Sequence, residues 1–382
     1  MSEWTKETSL YVHLPWCKTK CPYCDFNSFK STPSLEENRY IDFLLKDLEE
    51  EIEFSPNRIV KSIYFGGGTP SLFSGDSIEK LLDEIRRRVP TNSPSEVTLE
   101  VNPESATKEK LRHYRMAGVN RISLGVQSFS DGVLSSLSRP HTAKEAINAY
   151  FTVREAGFEN VNLDLIFGAP KSTWQSDLAD LNLAITLFPE HISRYQLTIE
   201  QDTKFSLVPP ELPHEDDIYK SFCRGLQLLV ENGFRQYEVS AYARPGKTSS
   251  HNLHYWNYGD YIGVGAGAHS KVTVDSKIFR SEKVKNPVLY MSNVSGDEKA
   301  INRRRVDESD ALLEYVINAT RLVDGFIISD LHARTCIPPN SIDVVRKLKK
   351  AVEKGFLSWN GDLLKPTSLG RLFLNDLQLV FL

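Results

Sequence analysis

At 382 residues, with 40% hydrophobic and 25% charged residues, the chain has the composition of a soluble globular protein, long enough for one large domain and a smaller one. A formal net charge of −4 argues against a surface given over to nucleic acid, though not against a local basic patch. Five cysteines, an odd count with three clustered, do not make a secreted disulfide framework. No stretch approaches the ~18 apolar residues that cross a membrane, and the first eight residues lack the apolar core of a signal peptide, so a cytoplasmic protein is expected.

Short β-rich runs then alternate with longer amphipathic ones. The predicted strands are Leu10–Leu14, Ser62–Phe65, Val97–Val101, Arg121–Val126, Val161–Phe167 and His191–Thr198. The predicted helices between them are Leu35–Glu53, Ser77–Val89, Lys108–Ala117, Lys144–Ala156 and Trp174–Leu187. In the second helix Ile78, Leu81, Leu82 and Ile85 recur at helical spacing, and Asp76 with Glu79 resembles a capping box. Six strand–helix units in series imply an α/β fold with a parallel sheet and helices outside it. Six units rather than eight predict an incomplete β/α barrel with a lateral opening. Such a barrel carries its chemistry on the loops that follow its strands.

Beyond about residue 200 the pattern changes. Pro209, Pro210 and Pro213 precede a predicted helix at Asp216–Asn232 and a glycine- and aromatic-rich segment. From Ser309 onward, helices near Ala311–Leu322 and Ile342–Lys354, a hairpin near Phe356–Lys365 and a last helix near Leu369–Leu377 suggest a winged-helix-like unit. The expected division is a barrel over 1–205, a flanking segment over 206–300 and a C-terminal domain over 301–382. Arg303–Arg305 and Arg346-Lys-Leu-Lys-Lys350 are basic. Asp307, Glu308 and Asp310 offset the first run, and the second reads as a solvated helix face, so no nucleic-acid partner is expected.

Cys17-Lys-Thr-Lys-Cys21-Pro-Tyr-Cys24 places three thiols directly after the first strand. A structural metal centre normally closes its shell with four protein ligands. Three thiolates on a four-iron cluster leave one iron open, and an open position is where metal chemistry happens. Zinc completed by His13, or simple reduced thiols, remain the competing readings. The second strand ends in Gly66-Gly67-Gly68-Thr69-Pro70, whose glycines permit close approach to a ligand. Glu100, Gln127, Arg139 and Asp164 then follow at or near later strand ends. An acid inside a strand as apolar as Val161–Phe167 is costly unless it is hydrogen-bonded; a structural role would explain Asp164 equally. Ile262-Gly-Val-Gly-Ala-Gly-Ala-His269 is a second glycine-rich run, either a border to an adenine or a packed turn.

With these residues assembled, the chain resembles the oxygen-independent coproporphyrinogen III oxidase-like radical S-adenosylmethionine (SAM) proteins, and within them the HemW heme-chaperone branch. The likeness runs from Tyr11-Val-His-Leu-Pro through the cysteines, the glycine run, Gly125-Val-Gln127 and Asp164-Leu-Ile-Phe-Gly168 to the C-terminus. It implies that Cys17, Cys21 and Cys24 hold a 4Fe-4S cluster. It implies equally that Tyr11, Tyr23, Gly67, Gly68, Thr69, Glu100, Gln127, Arg139 and Asp164 surround SAM. Two features depart from the oxidases: Phe26 stands where a CxxxCxxCxC pattern has its fourth cysteine, and only ten residues precede Tyr11, with no long N-terminal arm. His251-Asn-Leu-His-Tyr-Trp256 matches the HNxxYW pattern of the chaperone branch. Imidazole and phenolate both ligate heme iron, so His251, His254 and Tyr255 are candidate heme contacts, with Trp256 available to pack on a porphyrin face. A structural aromatic loop closing the barrel is the competing account. The resemblance implies a chaperone that binds the cluster, SAM and heme and passes heme to an acceptor such as a respiratory heme protein at the membrane, with a cluster-dependent homodimer as one form. The alternative is a radical SAM enzyme acting on a porphyrinogen.

Overall fold

The structure, a computed structural model, describes residues 7–31, 36–294, 301–338 and 341–382. Seven parallel strands form its centre: β1 (Glu7–Leu14), β2 (Ile59–Gly67), β3 (Thr91–Val101), β4 (Arg121–Gln127), β5 (Val161–Phe167), β6 (His191–Gln196) and β7 (Asp260–Val264). Their spatial order is β7-β1-β2-β3-β4-β5-β6. Beside β7 the strands His269–Val274, Lys277–Lys283 and Ile301–Arg305 continue antiparallel; beside β6 lie Ala241–Ala243 and Arg235–Gln236. The twelve strands end in two free edges, so the barrel is incomplete as expected. The six predicted strands are all present and parallel. The seventh, β7, arises from the glycine-rich segment beyond residue 200, and the sheet extends to Arg305.

Alternation along the strands sorts the two faces. On β4, Ile122, Leu124 and Val126 join the core under the helices. Arg121, Ser123, Gly125 and Gln127 point the other way, into a cavity inside the barrel. The helix Gly75–Arg88 shows the matching logic: Ile78, Leu81, Leu82 and Ile85 are buried while Arg86 to Arg88 close its last turn. Its cap is not the expected Asp76/Glu79 box. Ser74 is the N-cap and its hydroxyl accepts from the Ser77 amide, which leaves Asp76 inside the first turn. A reciprocal capping box occurs instead at Thr142 and Glu145. The first predicted helix is observed as Glu37–Phe54; Leu35 lies outside the described residues.

A buried ion cluster ties that helix to the antiparallel edge. Lys283, 1% exposed, donates to Asp47 Oδ1 and to Glu51 Oε1 at 2.5 and 2.6 Å. Asp47 Oδ2 also accepts from the Tyr290 hydroxyl and the Gly265 amide. The C-terminal unit packs helices Glu308–Ala319, Ile328–Thr335 and Ile342–Glu353 against a three-stranded sheet around Leu312, Val316, Leu331, Leu348 and Leu364. This is the expected winged-helix-like order. The single helix predicted near Leu369–Leu377 is split at Phe373 into Ser368–Leu372 and Leu374–Leu379, because the Phe373 backbone leaves the helical region. The unit docks on the barrel through Glu314, which accepts from Tyr258 and Arg280, and through a bridge from Glu238 to Leu322.

Candidate cofactor site

At the end of β1 the chain makes a two-residue strand, Trp16–Cys17, that pairs parallel with Phe29–Lys30. The intervening cysteine loop is pinned at its root by Phe29 N to Pro15 O and Ser31 N to Cys17 O. Cys17 and Cys21 are buried and Cys24 half-buried, whereas Cys223 and Cys336 are exposed elsewhere. All three loop thiols line a cavity of about 600 Å³ that runs into the barrel. Burial raises the Cys17 and Cys24 thiols above their ordinary pKa. A tetrahedral zinc site would need a fourth ligand beside the three thiols. His13 is also engaged, with Nε2 2.8 Å from the Asn27 carbonyl and Nδ1 3.0 Å from the Tyr11 hydroxyl. The donor set therefore fits an iron–sulfur cluster better than a His-completed zinc.

The glycine run sits directly against this loop. Gly68 N donates to Leu14 O and Thr69 N to Trp16 O, and a Cβ on Gly68 would lie 2.5 Å from the Trp16 carbonyl oxygen. Gly67 has a φ of +122°, a conformation that side chains resist. Asn102 joins the run to the far wall: its Nδ2 donates to Thr69 Oγ1 at 2.9 Å, and its Oδ1 accepts from Arg139 Nη2 at 2.8 Å. Arg139 donates as well to the Gly125 carbonyl and approaches Cys21 Sγ at 3.7 Å. Asn102 escapes the motif reading; its one sequence signal is its place two residues beyond Glu100 at the end of β3. Gly125 is required because a Cβ there would lie 2.9 Å from Asn102 Oδ1. Gln127 adopts a φ of +67°, local strain of about 1 kcal/mol held at the cavity wall.

Two acids face the interior. Glu100 accepts from the Tyr64 hydroxyl at 2.9 Å and the Gly67 amide at 3.2 Å. Burial, with the charge of Asp164 nearby, raises its carboxyl to about 7. Asp164 accepts from Ser123 and Asn162, which meets the cost of placing an acid in that strand, and burial raises its pKa too. Tyr23 lines the cavity with its ring 6.5 Å from Phe205. Phe26 stands at the cavity mouth, 56% exposed.

The structure therefore brings Tyr23, Gly67, Gly68, Thr69, Glu100, Gln127, Arg139 and Asp164 together with the three cysteines. It places Tyr11 behind that wall, stacked 6.2 Å from Tyr64. The HNxxYW residues form a short helix, Ser250–Trp256, beneath the cavity; of its members only Asn252 lines the space. Glu96 accepts from the amides of Ser250 and His251. His251 Nδ1 is 3.0 Å from Ser62 Oγ, and His254 Nε2 donates to the Asp260 carbonyl. Burial lowers these imidazoles to about 3 and about 4, so both are neutral. Tyr255 packs against Trp256 and Tyr261. The second glycine-rich run does not reach the cavity; its Ala266 carbonyl accepts from Asn27 of the cysteine loop.

An incomplete parallel barrel with three thiols after its first strand and a glycine run after its second is the architecture of a radical SAM protein. The radical SAM superfamily profile matches residues 11–184, and that of the HemN C-terminal domain matches residues 306–373. A heme chaperone HemW from Escherichia coli is 42% identical over 376 residues, covering 98% of each chain. Its counterpart from Haemophilus influenzae is 40% identical over 379 residues, covering 98% of this chain and 97% of the relative. The solved structure of the E. coli coproporphyrinogen III oxidase HemN superposes with a TM-score of 0.83 at 22% identity, over 98% of this chain and 90% of that one, which shows the shared fold. The chain belongs to the HemW heme chaperone family of radical SAM proteins.

Proposed function

We propose that this protein is a cytoplasmic heme chaperone that holds a 4Fe-4S cluster on Cys17, Cys21 and Cys24, binds SAM in the adjoining cavity, takes up heme and passes it to an acceptor protein. The observation that carries this reading is the 42% identity with a protein named a heme chaperone, over 98% of both chains. Phe26 supports it, because an exposed phenyl ring stands where the oxidase pattern has a further thiol.

Cys17, Cys21 and Cys24 would hold the cluster, which when bound would leave one iron open to the amino and carboxylate groups of SAM and could supply a single electron. The chain's own residues do the remaining work. Gly67 and Gly68 let backbone approach the ligand, Arg139 fixes Asn102 and Cys21 in one frame, and Glu100 accepts from a hydroxyl or ammonium group. The HNxxYW helix holds neutral imidazoles, His251 and His254, beside the Tyr255 phenol, and heme would engage them once their contacts with Ser62 and Asp260 rearrange. Among the described residues no helix is long and apolar enough to cross a membrane. The acceptor class we favour is a respiratory heme protein at a membrane, and a cluster-dependent homodimer is the form in which transfer would be controlled; no nucleic-acid partner is proposed.

Anaerobic reconstitution with iron and sulfide, followed by heme titration, tests the reading. Saturable uptake of heme is expected. Incubation with SAM, a reductant and coproporphyrinogen III should give no vinyl product. Uptake without saturation, or conversion of the porphyrinogen, would sink the proposal.

A further inference from the structure

Arg121 opens β4 opposite Thr98 of β3, two positions short of Glu100, so its side chain enters the barrel on the side away from the cysteine loop. It is 2% exposed. Among the described residues its guanidinium makes no ion pair and no hydrogen bond, and its Nε is buried without an acceptor. It nevertheless lines the cavity. One acid, Asp164, is within electrostatic reach of Arg121 but is not hydrogen-bonded to it. Asp164 accepts from Ser123 at 2.9 Å and Asn162 at 2.8 Å, and Asn162 Oδ1 accepts from Ser193 at 3.0 Å. A second guanidinium, Arg321 from the C-terminal unit, lines the same space. It stacks 4.3 Å from the Trp256 ring and donates to Glu238 at 3.2 Å, while its own Nε is buried without an acceptor.

A buried cation with no hydrogen-bonded partner is costly, and removing it would ordinarily favour the fold. Arg121, beside an Arg321 that is paired to Glu238 but keeps its Nε unsatisfied, leaves N–H donors on one cavity that a bound anion would satisfy, and the guanidinium fork matches a carboxylate. We propose that the inner end of the cavity is a carboxylate-binding subsite centred on Arg121, with Arg321 as its second cation. Two ligands of the proposed function carry this group: heme, through its propionates, and SAM, through its methionyl end. On the proposed function the methionyl end of SAM lies by the glycine run and cysteine loop, at the outer mouth, so a heme propionate is the source we assign, a choice that rests on the heme-chaperone reading.

The test uses the full-length protein, reconstituted anaerobically, as wild type, Arg121→Gln and Arg121→Met. Each is titrated with hemin and hemin dimethyl ester, then with SAM and decarboxylated SAM, and each is melted without ligand. Wild type should bind hemin about ten-fold or more tightly than its ester. Both variants should bind the two alike while keeping the wild-type preference for SAM. Loss of the SAM preference alone supports the subsite but moves its carboxylate to SAM. Survival of both preferences overturns it. If wild type binds neither hemin form, the heme-chaperone reading fails separately, and the SAM arm and the melts still decide the subsite. Arg121→Met melting at or above wild type marks a cation retained for a ligand; melting well below it marks a structural arginine and overturns the proposal.

Discussion

Arg139 Nη1 lies 3.7 Å from Cys21 Sγ, joining a loop beyond β4 to the cysteine loop 118 positions earlier. The same guanidinium donates to Asn102 Oδ1 and the Gly125 carbonyl, so one side chain holds three walls of the cavity in register. Arg139→Gln removes the charge and most of these donors. Hydrogen bonds to charged groups contribute roughly 1.5–3 kcal/mol each. The SAM dissociation constant of the variant should therefore rise at least about ten-fold, with iron content unchanged. Calorimetric titration of the reconstituted protein checks this, and a change below about two-fold contradicts the bridging role.

Cys17→Ala, Cys21→Ala and Cys24→Ala should each lose the cluster while the barrel still folds. The thiols sit on a loop pinned by backbone hydrogen bonds at its root, not on a strand. Melting of the cluster-free forms should differ from cluster-free wild type by no more than ~1–2 kcal/mol. Cys223→Ser and Cys336→Ser, at exposed positions, should keep their iron. Full iron occupancy in any of the first three variants would remove that cysteine from the ligand set.

The six barrel strands are legible in the sequence because each carries β-branched residues and four of them end at a Gly, Pro or Asn breaker, and the loops after them then fall where the chemistry belongs. β7 is not legible. Asp260-Tyr-Ile-Gly-Val264 opens a glycine-rich run and reads as a turn, yet Gly263 is a strand residue whose Cβ would lie 2.1 Å from the His269 carbonyl oxygen. Asn102 belongs to no motif, and only the fold carries it between Thr69 and Arg139. Arg121 opens a predicted strand and belongs to no motif; only its register opposite Thr98 shows that it turns inward. The HNxxYW pattern is visible in sequence, but that its imidazoles point at Ser62 and Asp260 follows only from the helix they form.

Glu100 gives the site a pH dependence. Burial, with Asp164 beside it, lifts its carboxyl from an ordinary 4.5 to about 7. Between those values the folded protein holds a proton that the unfolded chain has lost, so stability falls as pH rises through this window and the whole penalty is present above it. Glu100 is half-buried and lines an open cavity, which keeps the penalty to roughly 2–3 kcal/mol. Glu100→Gln does not titrate. The melting temperature of the variant minus that of wild type should therefore grow between about pH 5 and about pH 8. Cationic SAM favours the ionised carboxylate, so wild-type affinity for SAM should rise over the same range. A difference in melting temperature that stays flat with pH would show that Glu100 ionises as an ordinary carboxyl.

His251 is held by contacts that any heme would have to rearrange. Its Nδ1 is 3.0 Å from Ser62 Oγ, its ring lies 5.0 Å from Tyr64, and Glu96 accepts from its backbone amide. Burial lowers its pKa to about 3, so the imidazole is neutral and suited to bind a metal once released. His251→Ala should lose about 1–3 kcal/mol, from an unpartnered Ser62 and the space left against Tyr64, and should also lose heme uptake. His251→Gln offers Ser62 a new partner and should recover most of the stability, while an amide does not replace imidazole on heme iron. Melting and heme titration on the same samples separate the two roles. If heme uptake returns with stability in the Gln variant, His251 is a structural residue of the barrel floor, and heme ligation passes to His254 or Tyr255.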